Sequence, residues 1–410
     1  MIVKQITPTQ KELVLDTLDI YKSNKYILNP FDSRTIDFFD SVSKKIVKNP
    51  ELNRLPEMVA LAFWIRRANL HKLKLENDHL FNNANFKVSP IGRVFHVCPT
   101  NVDTMFIYSL AVSLLMGNKN VLRLSTRMNA SQITVLFDML NDVLAMNEFE
   151  IFKEYVNIIS YDHNADISNF ISQHSNARII WGGDNTIRTF RQFIPMPRTK
   201  DIVFADRVSV LCVKCEAYLN TTDAEKENFI KNFFNDAYTF DQKGCSSPQS
   251  IYFIGSEEEY QKCMNQMPLE LSSKIESKFT IDLASVASLK LNQLVEDVID
   301  ANVQKTYGDN IVKFVEMNQG EAVNLHHTCG GGYFYVSRIN SIAEIEPLVN
   351  VKLQTVSYYG LKDSEKTDLI AIANAEGIDR IVPMGKALEF SYIWDGYNLF
   401  DEISRKVYIE

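Results

Sequence analysis

The residues best suited to covalent chemistry lie in one segment, 240–253, which reads FDQKGCSSPQSIYF. Cys245 follows Gly244 and precedes Ser246, Ser247 and Pro248, after which a strand-like run begins. Small neighbours let a ligand approach the sulfur. Backbone N–H groups in such a loop favour the thiolate over a thiol of ordinary pKa, about 8.5. The competing reading is a packed thiol, because free cysteine is among the most buried residue types.

A second segment, HVCPTNVDT (96–104), stops a predicted strand at Pro99 and sets Asn101 just before a helix. An asparagine there serves either as a helix cap or as a side-chain N–H donor for an oxyanion at the edge of a sheet. Third, NVLRLSTR (120–127) puts Arg123, Ser125, Thr126 and Arg127 at the end of a strand. Dinucleotide folds grip the adenosine ribose at that place, and two arginines without a carboxylate favour a 2′-phosphate. Fourth, the run IIWGGDN is a strand, a turn at Gly182 and Gly183, and a helix start, which suits a pyrophosphate. No GxGxxG occurs, so an ordinary Rossmann dehydrogenase is not supported.

Other groupings carry less. Cys212 and Cys215 have CxxC spacing, but an i,i+3 pair on a predicted strand points to opposite faces, and no second ligand pair follows. No metal site is expected. His326, His327 and Cys329 lack a partner set and read as a loop leading into three glycines. A protease-like Cys–His pair using Cys245 is compatible with the spacing but leaves the dinucleotide features unexplained.

The elements that position these groups alternate. The first 80 or so residues read as helices, at 34–47 and 55–70, and 82–90 marks a boundary. From Gly92, strands at 92–97, 120–124, 156–160 and 177–181 alternate with helices at 102–116, 130–146, 165–174 and 185–193. That pattern means βαβ units and a parallel sheet, with ligands at the carboxyl ends of its strands. A second series has strands at 208–213, 250–254, 311–316, 333–337 and 354–358. The expected fold is α/β, with two tandem open parallel-sheet domains after an amino-terminal helical segment. Its parts are 1–207 with the dinucleotide site, 208–380 with the nucleophile, and a tail, 381–410, ending in a strand at 405–409.

Composition limits the function. Of 410 residues, 46% are hydrophobic and 23% charged, which excludes disorder and fibrous folds. A net charge of −8 with mixed signs argues against nucleic acid as a partner. The longest apolar stretch, 105–116, is interrupted by two serines and is far short of the roughly 20 residues of a membrane span. No basic head and apolar core open the chain. Six sparse cysteines then imply reduced thiols and a cytoplasmic place.

In this order the four segments resemble the aldehyde dehydrogenase superfamily, and more closely the LuxC-type acyl-CoA reductases, the branch known for supplying aldehyde to bacterial luciferase. Residues 98–101, 113–125, 181–184, 241–249, LQTV (353–356), RIVPMG (380–385) and WDGY (394–397) carry the resemblance. It implies an aldehyde dehydrogenase-like fold, Cys245 as nucleophile and Asn101 as oxyanion donor. Arg123 and Ser125 fall at the cofactor's adenosine phosphates, Thr126 beside Arg127 leans toward NADPH, and Gly182 and Gly183 fall near the pyrophosphate. Where hydrolytic members carry a glutamate base, this chain has Val203. The implied reaction is reduction of a long-chain acyl-CoA, or another activated acyl donor, to a fatty aldehyde through an acyl-cysteine thioester. Alternatives are reduction of an acyl phosphate or carrier-bound acyl group, or a cofactor-less acyl-transfer or scaffold subunit. Implied partners are an acyl-activating synthetase (LuxE-like) and further copies of the chain, joined through the edge strand 403–408.

Overall fold

Strands buried on both faces and separated by helices form the centre of each half of the chain. In a computed structural model describing residues 1–99, 102, 104–125, 131–278, 283–300, 303–317, 327–373 and 376–410, the chain forms two units. One joins Met1–Ala205 to Phe390–Glu410, and the other is Asp206–Glu389.

The first unit contains β1 (Ile2–Thr7), β2 (Lys11–Val14), β3 (Phe86–Pro90), β4 (Arg93–Val97), β5 (Lys119–Leu124), β6 (Val156–Ser160), β7 (Ala177–Trp181) and β8 (Lys200–Phe204). Seven of these make one sheet in the order β2-β1-β6-β5-β4-β7-β8. From β6 to β8 every pairing is parallel, whereas β1 pairs antiparallel with both β2 and β6. The sheet is therefore mixed. The chain winds from β4 outward to β6 and then returns to the other side of β4, so the strand order reverses between β4 and β7. A crevice at the carboxyl ends of strands is expected at such a reversal.

The amino-terminal segment is not wholly helical. β1 alternates exposed and buried residues, burying Val3, Gln5 and Thr7, and this period of two marks a half-buried strand. The expected single helix over 55–70 is two, Pro56–Ile65 and Arg67–Glu76. They break at Arg66, where ψ is 148°, and the Asp40 carboxylate accepts the Arg67 backbone N–H at 3.0 Å. A neighbouring helix, Ser33–Lys48, thus caps the second one from the side.

The second unit contains β9 (Val208–Lys214), β10 (Pro248–Ile254), β11 (Val303–Gly308), β12 (Lys313–Met317), β13 (Tyr333–Ile339), β14 (Leu353–Tyr359) and β15 (Arg380–Pro383). Their order is β11-β12-β13-β10-β9-β14-β15, parallel throughout except for β11. Cys212 packs in the core on one face of this sheet, and Cys215, at the start of the next helix, packs on the other.

Residues 381–410, expected as one tail, are shared out. β15 completes the second sheet, and the chain rejoins the first unit at Phe390. There β16 (Ile393–Trp394) and β17 (Tyr397–Asn398) form a hairpin. Its turn is Asp395-Gly396, with φ of 48° and 76°, the left-handed pair that the favoured two-residue hairpin turn requires. Last, β18 (Ser404–Tyr408) pairs antiparallel with β3 of the same chain.

Beside the strand reversal, Arg178 on β7 is almost fully buried. Its guanidinium donates to both Asp201 oxygens on β8 at 2.7 Å, and to the Phe190 and Phe193 carbonyls at 2.9 and 3.1 Å. Removing one partner strands a buried charge. Asp201→Ala is expected to lower stability by about 3 kcal/mol, measured as the midpoint and slope of urea unfolding.

Candidate active site

Accessibility divides the thiols. Cys98, Cys212, Cys215 and Cys263 are buried, whereas Cys245 and Cys329 are partly exposed. Burial pushes Cys212 up to about 12 and Cys98 well above its ordinary value, while a hydrogen bond donated to Cys215, then burial, does the same to Cys263. Cys329 is raised to about 11, mainly by burial, with Lys290 acting the other way. Those thiols stay protonated at neutral pH. Lys290 itself, inserted to donate to the Asn310 and Ile311 carbonyls, is lowered to about 8 by burial.

Cys245 sits in the loop before β10, at the amino-terminal end of the second sheet. The loop is held by two amides. Gln242 Nε2 donates to the Pro248 and Tyr333 carbonyls, both at 2.8 Å, while its Oε1 accepts from the Gly332 and Tyr333 N–H groups at 2.9 and 3.2 Å. Gln249 Nε2 donates to the Gln242 carbonyl at 2.9 Å, and Gln249 Oε1 accepts from the Thr328 N–H and hydroxyl at 3.1 and 2.8 Å. Asp241 and Gln242 both adopt positive φ, 51° and 63°. Non-glycine residues rarely do so, and such a conformation persists where its surroundings over-determine it. Gly244 has a steric reason: a Cβ there would stand 2.9 Å from Leu388 Cδ2.

Four strands meet beneath the sulfur. Ser209 near the start of β9 donates to the Cys245 carbonyl at 2.7 Å. Gln354, second residue of β14, donates from Nε2 to Cys245 Sγ at 3.4 Å. Loop residues 240–249 thus bridge the amino ends of β13, β10, β9 and β14. Sequence reasoning singled out Cys245 as a candidate and gave no part to Gln242, Gln249, Ser209 or Gln354. For Gln354 the signal was LQTV, quoted above only as a resemblance.

In the first unit, Arg123, Ser125, Gly182 and Gly183 lie at the carboxyl ends of β5 and β7, the two neighbours of β4. Val97 pairs with both Arg123 and Ile180, and the Cys98 N–H donates to the Arg123 carbonyl at 3.2 Å. The Arg123 guanidinium lies over the Tyr161 ring, 5.1 Å from its centroid, and its buried Nε has no hydrogen-bond partner among the described residues. An orphaned cationic N–H at that edge fits an anionic group. Gly183 starts the helix Asp184–Arg191, and a Cβ added to it would meet nothing within 4 Å. Open space at a helix amino terminus also fits a phosphate, although Asp184 already occupies the first turn. Asn101, Thr126 and Arg127 lie outside the described residues, as does His326.

The histidines near these segments are engaged. His96 hydrogen-bonds Ser109 Oγ and Asn120 Oδ1 at 2.7 and 3.0 Å, and burial lowers it to about 4, so it stays neutral. His327 pairs with Asp206 at 2.9 Å. Val203 is half-buried in β8.

A family model described as "Acyl-CoA reductase (LuxC)" matches residues 18–406. A long-chain acyl-protein thioester reductase of Aliivibrio fischeri is 23% identical over 305 residues, which are 73% of this chain and 59% of that protein. The chain thus spans under two thirds of that relative's length. Among solved structures, a glyceraldehyde-3-phosphate dehydrogenase of Methanocaldococcus jannaschii, complexed with NADP, superposes with a TM-score of 0.64 and 12% identity, covering 96% of this chain and 92% of its own. A lactaldehyde dehydrogenase of Escherichia coli gives 0.62 and 12%, covering 93% and 87%. At those identities the likeness is one of fold, and the fold is aldehyde dehydrogenase-like.

Leu388, the side chain against Gly244, belongs to a segment fastened by buried Asp236, which accepts the Gly385 and Ala387 N–H groups at 2.6 and 3.0 Å. Burial outweighs those bonds and raises Asp236 to about 7 from 3.8. The folded state therefore holds this proton more tightly than the unfolded chain. The resulting stability is complete below the unfolded value of 3.8 and is lost as pH rises through about 7. Asp236→Asn should flatten that slope. In urea unfolding across this range, wild-type protein is expected to lose roughly 3–5 kcal/mol that the variant does not.

Proposed function

The chain belongs to the acyl-CoA reductase (LuxC) family, and from that premise we propose that it reduces a long-chain acyl group, carried as acyl-CoA, to a fatty aldehyde through a thioester on Cys245. The observation that carries this reading is partly exposed Cys245 on a loop braced by two glutamine amides, with the Gln354 amide donating to its sulfur. The name of the Aliivibrio fischeri relative supports a second donor, an acyl group borne on a protein.

In this mechanism the Cys245 thiolate attacks the donor's carbonyl carbon. The Asn101 carboxamide and the Cys245 backbone N–H steady the oxyanion, a kind of contact worth about 3–4 kcal/mol. The C–S bond to the donor thiol breaks, and that thiol leaves with a proton, so the acyl group stays on Cys245. A bound NADPH would supply the hydride that reduction requires. Arg123, Ser125, Thr126, Arg127, Gly182 and Gly183 are the residues that would hold its phosphates and ribose. Cys245 is finally the leaving group as aldehyde is released. Val203 in place of a carboxylate leaves water unactivated there, which favours reduction or thiol exchange over hydrolysis.

The same reading implies an acyl-activating synthetase that hands the acyl group on, a second copy of the chain at the β3–β18 ribbon, and a cytoplasmic place. Among the described residues, no helix is long and apolar enough to cross a membrane.

Cys245→Ala is expected to abolish both acyl labelling, seen by intact mass after mixing with acyl-CoAs of graded length, and NADPH-dependent aldehyde formation. Continued aldehyde production in that variant rejects the assignment. Acyl-protein reduced faster than every acyl-CoA makes the carrier-bound donor the substrate. Arg123→Gln should weaken NADPH binding about tenfold, the loss of one charge-assisted contact, as read by nucleotide fluorescence. Wild-type protein that binds no NADPH is instead an acyl-transfer subunit.

A further inference from the structure

Gln354 is fully buried, and its amide is committed at both ends. Ser246 Oγ donates to Gln354 Oε1 at 2.9 Å, and Thr355 Oγ1 approaches the same oxygen at 3.5 Å. With hydroxyls on the oxygen side, the nitrogen faces Cys245 Sγ at 3.4 Å. That orientation is also the one a thiolate requires, because a sulfur anion accepts hydrogen bonds and repels a carbonyl oxygen. Ser246 is covalently next to Cys245, so the amide closes a small ring around the nucleophile.

The next residue closes a second ring. The Thr355 N–H donates to Ser209 Oγ at 3.2 Å, and Ser209 Oγ donates to the Cys245 carbonyl at 2.7 Å. β14 itself is anchored where the Asp379 N–H reaches the Gln354 carbonyl at 2.9 Å, and where Arg207, paired with Asp379, donates to the Leu353 carbonyl at 2.7 Å. The loop's own charged side chains, Asp241 and Lys243, are exposed and 3.6 Å apart.

We propose that Gln354 is a catalytic residue whose side-chain N–H stabilises the Cys245 thiolate and aims its sulfur, with Ser246 fixing the amide's orientation. The proposal rests on Cys245 being the nucleophile. An amide suits the task chemically: it donates to an anion yet carries no charge and no basic site. A carboxylate at this position would repel the thiolate and would supply a base able to direct water at an acyl-cysteine.

The test is the pH profile of Cys245 alkylation by iodoacetamide in the full chain, quantified on the Cys245 peptide. Gln354→Met keeps the volume without the donor, and Gln354→Glu replaces the donor by a negative charge. Thermal melts establish that each variant is folded. The midpoint is expected to rise by about one pH unit in Gln354→Met, a tenfold loss of thiolate on the acid side, and further in Gln354→Glu. A packing role alone would change the limiting rate and leave the midpoint in place. An unmoved midpoint in folded Gln354→Met overturns the proposal. Should that variant not fold, Ser246→Ala, which frees the amide to rotate, is expected to raise the midpoint by a smaller step, and an unmoved midpoint there overturns it equally. Alkylation reads the sulfur whatever the substrate is. Aldehyde formation in Cys245→Ala would therefore remove Cys245 as the nucleophile, and with it the catalytic part of Gln354, without altering this measurement, whereas an unmoved midpoint removes Gln354 alone and leaves the acyl-cysteine reading in place.

Discussion

The candidate site of this chain depends on a turn that the backbone would not adopt unaided. Asp241 and Gln242 stand consecutively in left-handed conformation, and the Gln242 amide makes four hydrogen bonds to backbone groups of β10, β13 and the glycines before β13. A buried polar group of this kind is costly when unpaired and specific when satisfied. Here it converts a flexible Gly-Cys-Ser-Ser loop into a fixed mount, and a nucleophile is effective only if its sulfur stays where the carbonyl will arrive.

The two units present their functional residues at opposite ends of their own strands. In the first, the orphaned Arg123 Nε and the open Gly183 lie at carboxyl ends, on either side of β4, where the strand order reverses. In the second, Cys245, Gln354 and Ser209 lie at amino ends. The rule that ligands bind beyond the carboxyl ends of parallel strands finds the first set and not the second. The reason is geometric: the carboxyl ends lead into helices whose N-termini attract phosphate, whereas Cys245 sits on a rigid loop with donors around it.

Burial disfavours the charged form of many titratable groups near these segments. His96, Lys290, Asp236 and five tyrosines of the second unit's core and sheet all shift toward their uncharged forms. Low dielectric surroundings penalise charge, and Cys245 differs from these groups in being half-exposed, with the Gln354 amide donating to its sulfur. Arg178, buried as deeply, meets both Asp201 oxygens.

Local information determined much of this chain. The alternation of strand and helix after residue 92 follows from hydrophobic period, and 156–160 and 177–181 coincide with β6 and β7 to the residue. Gly-Cys-Ser-Ser-Pro marks a loop before a strand because small residues and proline act on their own neighbours. At the amino terminus the same reasoning missed β1, whose alternation spans six residues and whose burial depends on β6, more than 140 residues away in sequence. It also treated 55–70 as one helix, since the Asp40 cap arrives from another helix.

What only tertiary structure decided is which strands are neighbours. Gln354 lies 109 residues from Cys245, and its LQTV setting carries a family resemblance without pointing to the sulfur. It becomes one because β14 pairs with β9, which pairs with β10. Strand order is set by the joint burial of whole elements, a long-range energy, while periodicity and turn chemistry are short-range. The candidate loop around Cys245 could therefore be read from the chain, and the hydrogen bonds that brace it could not.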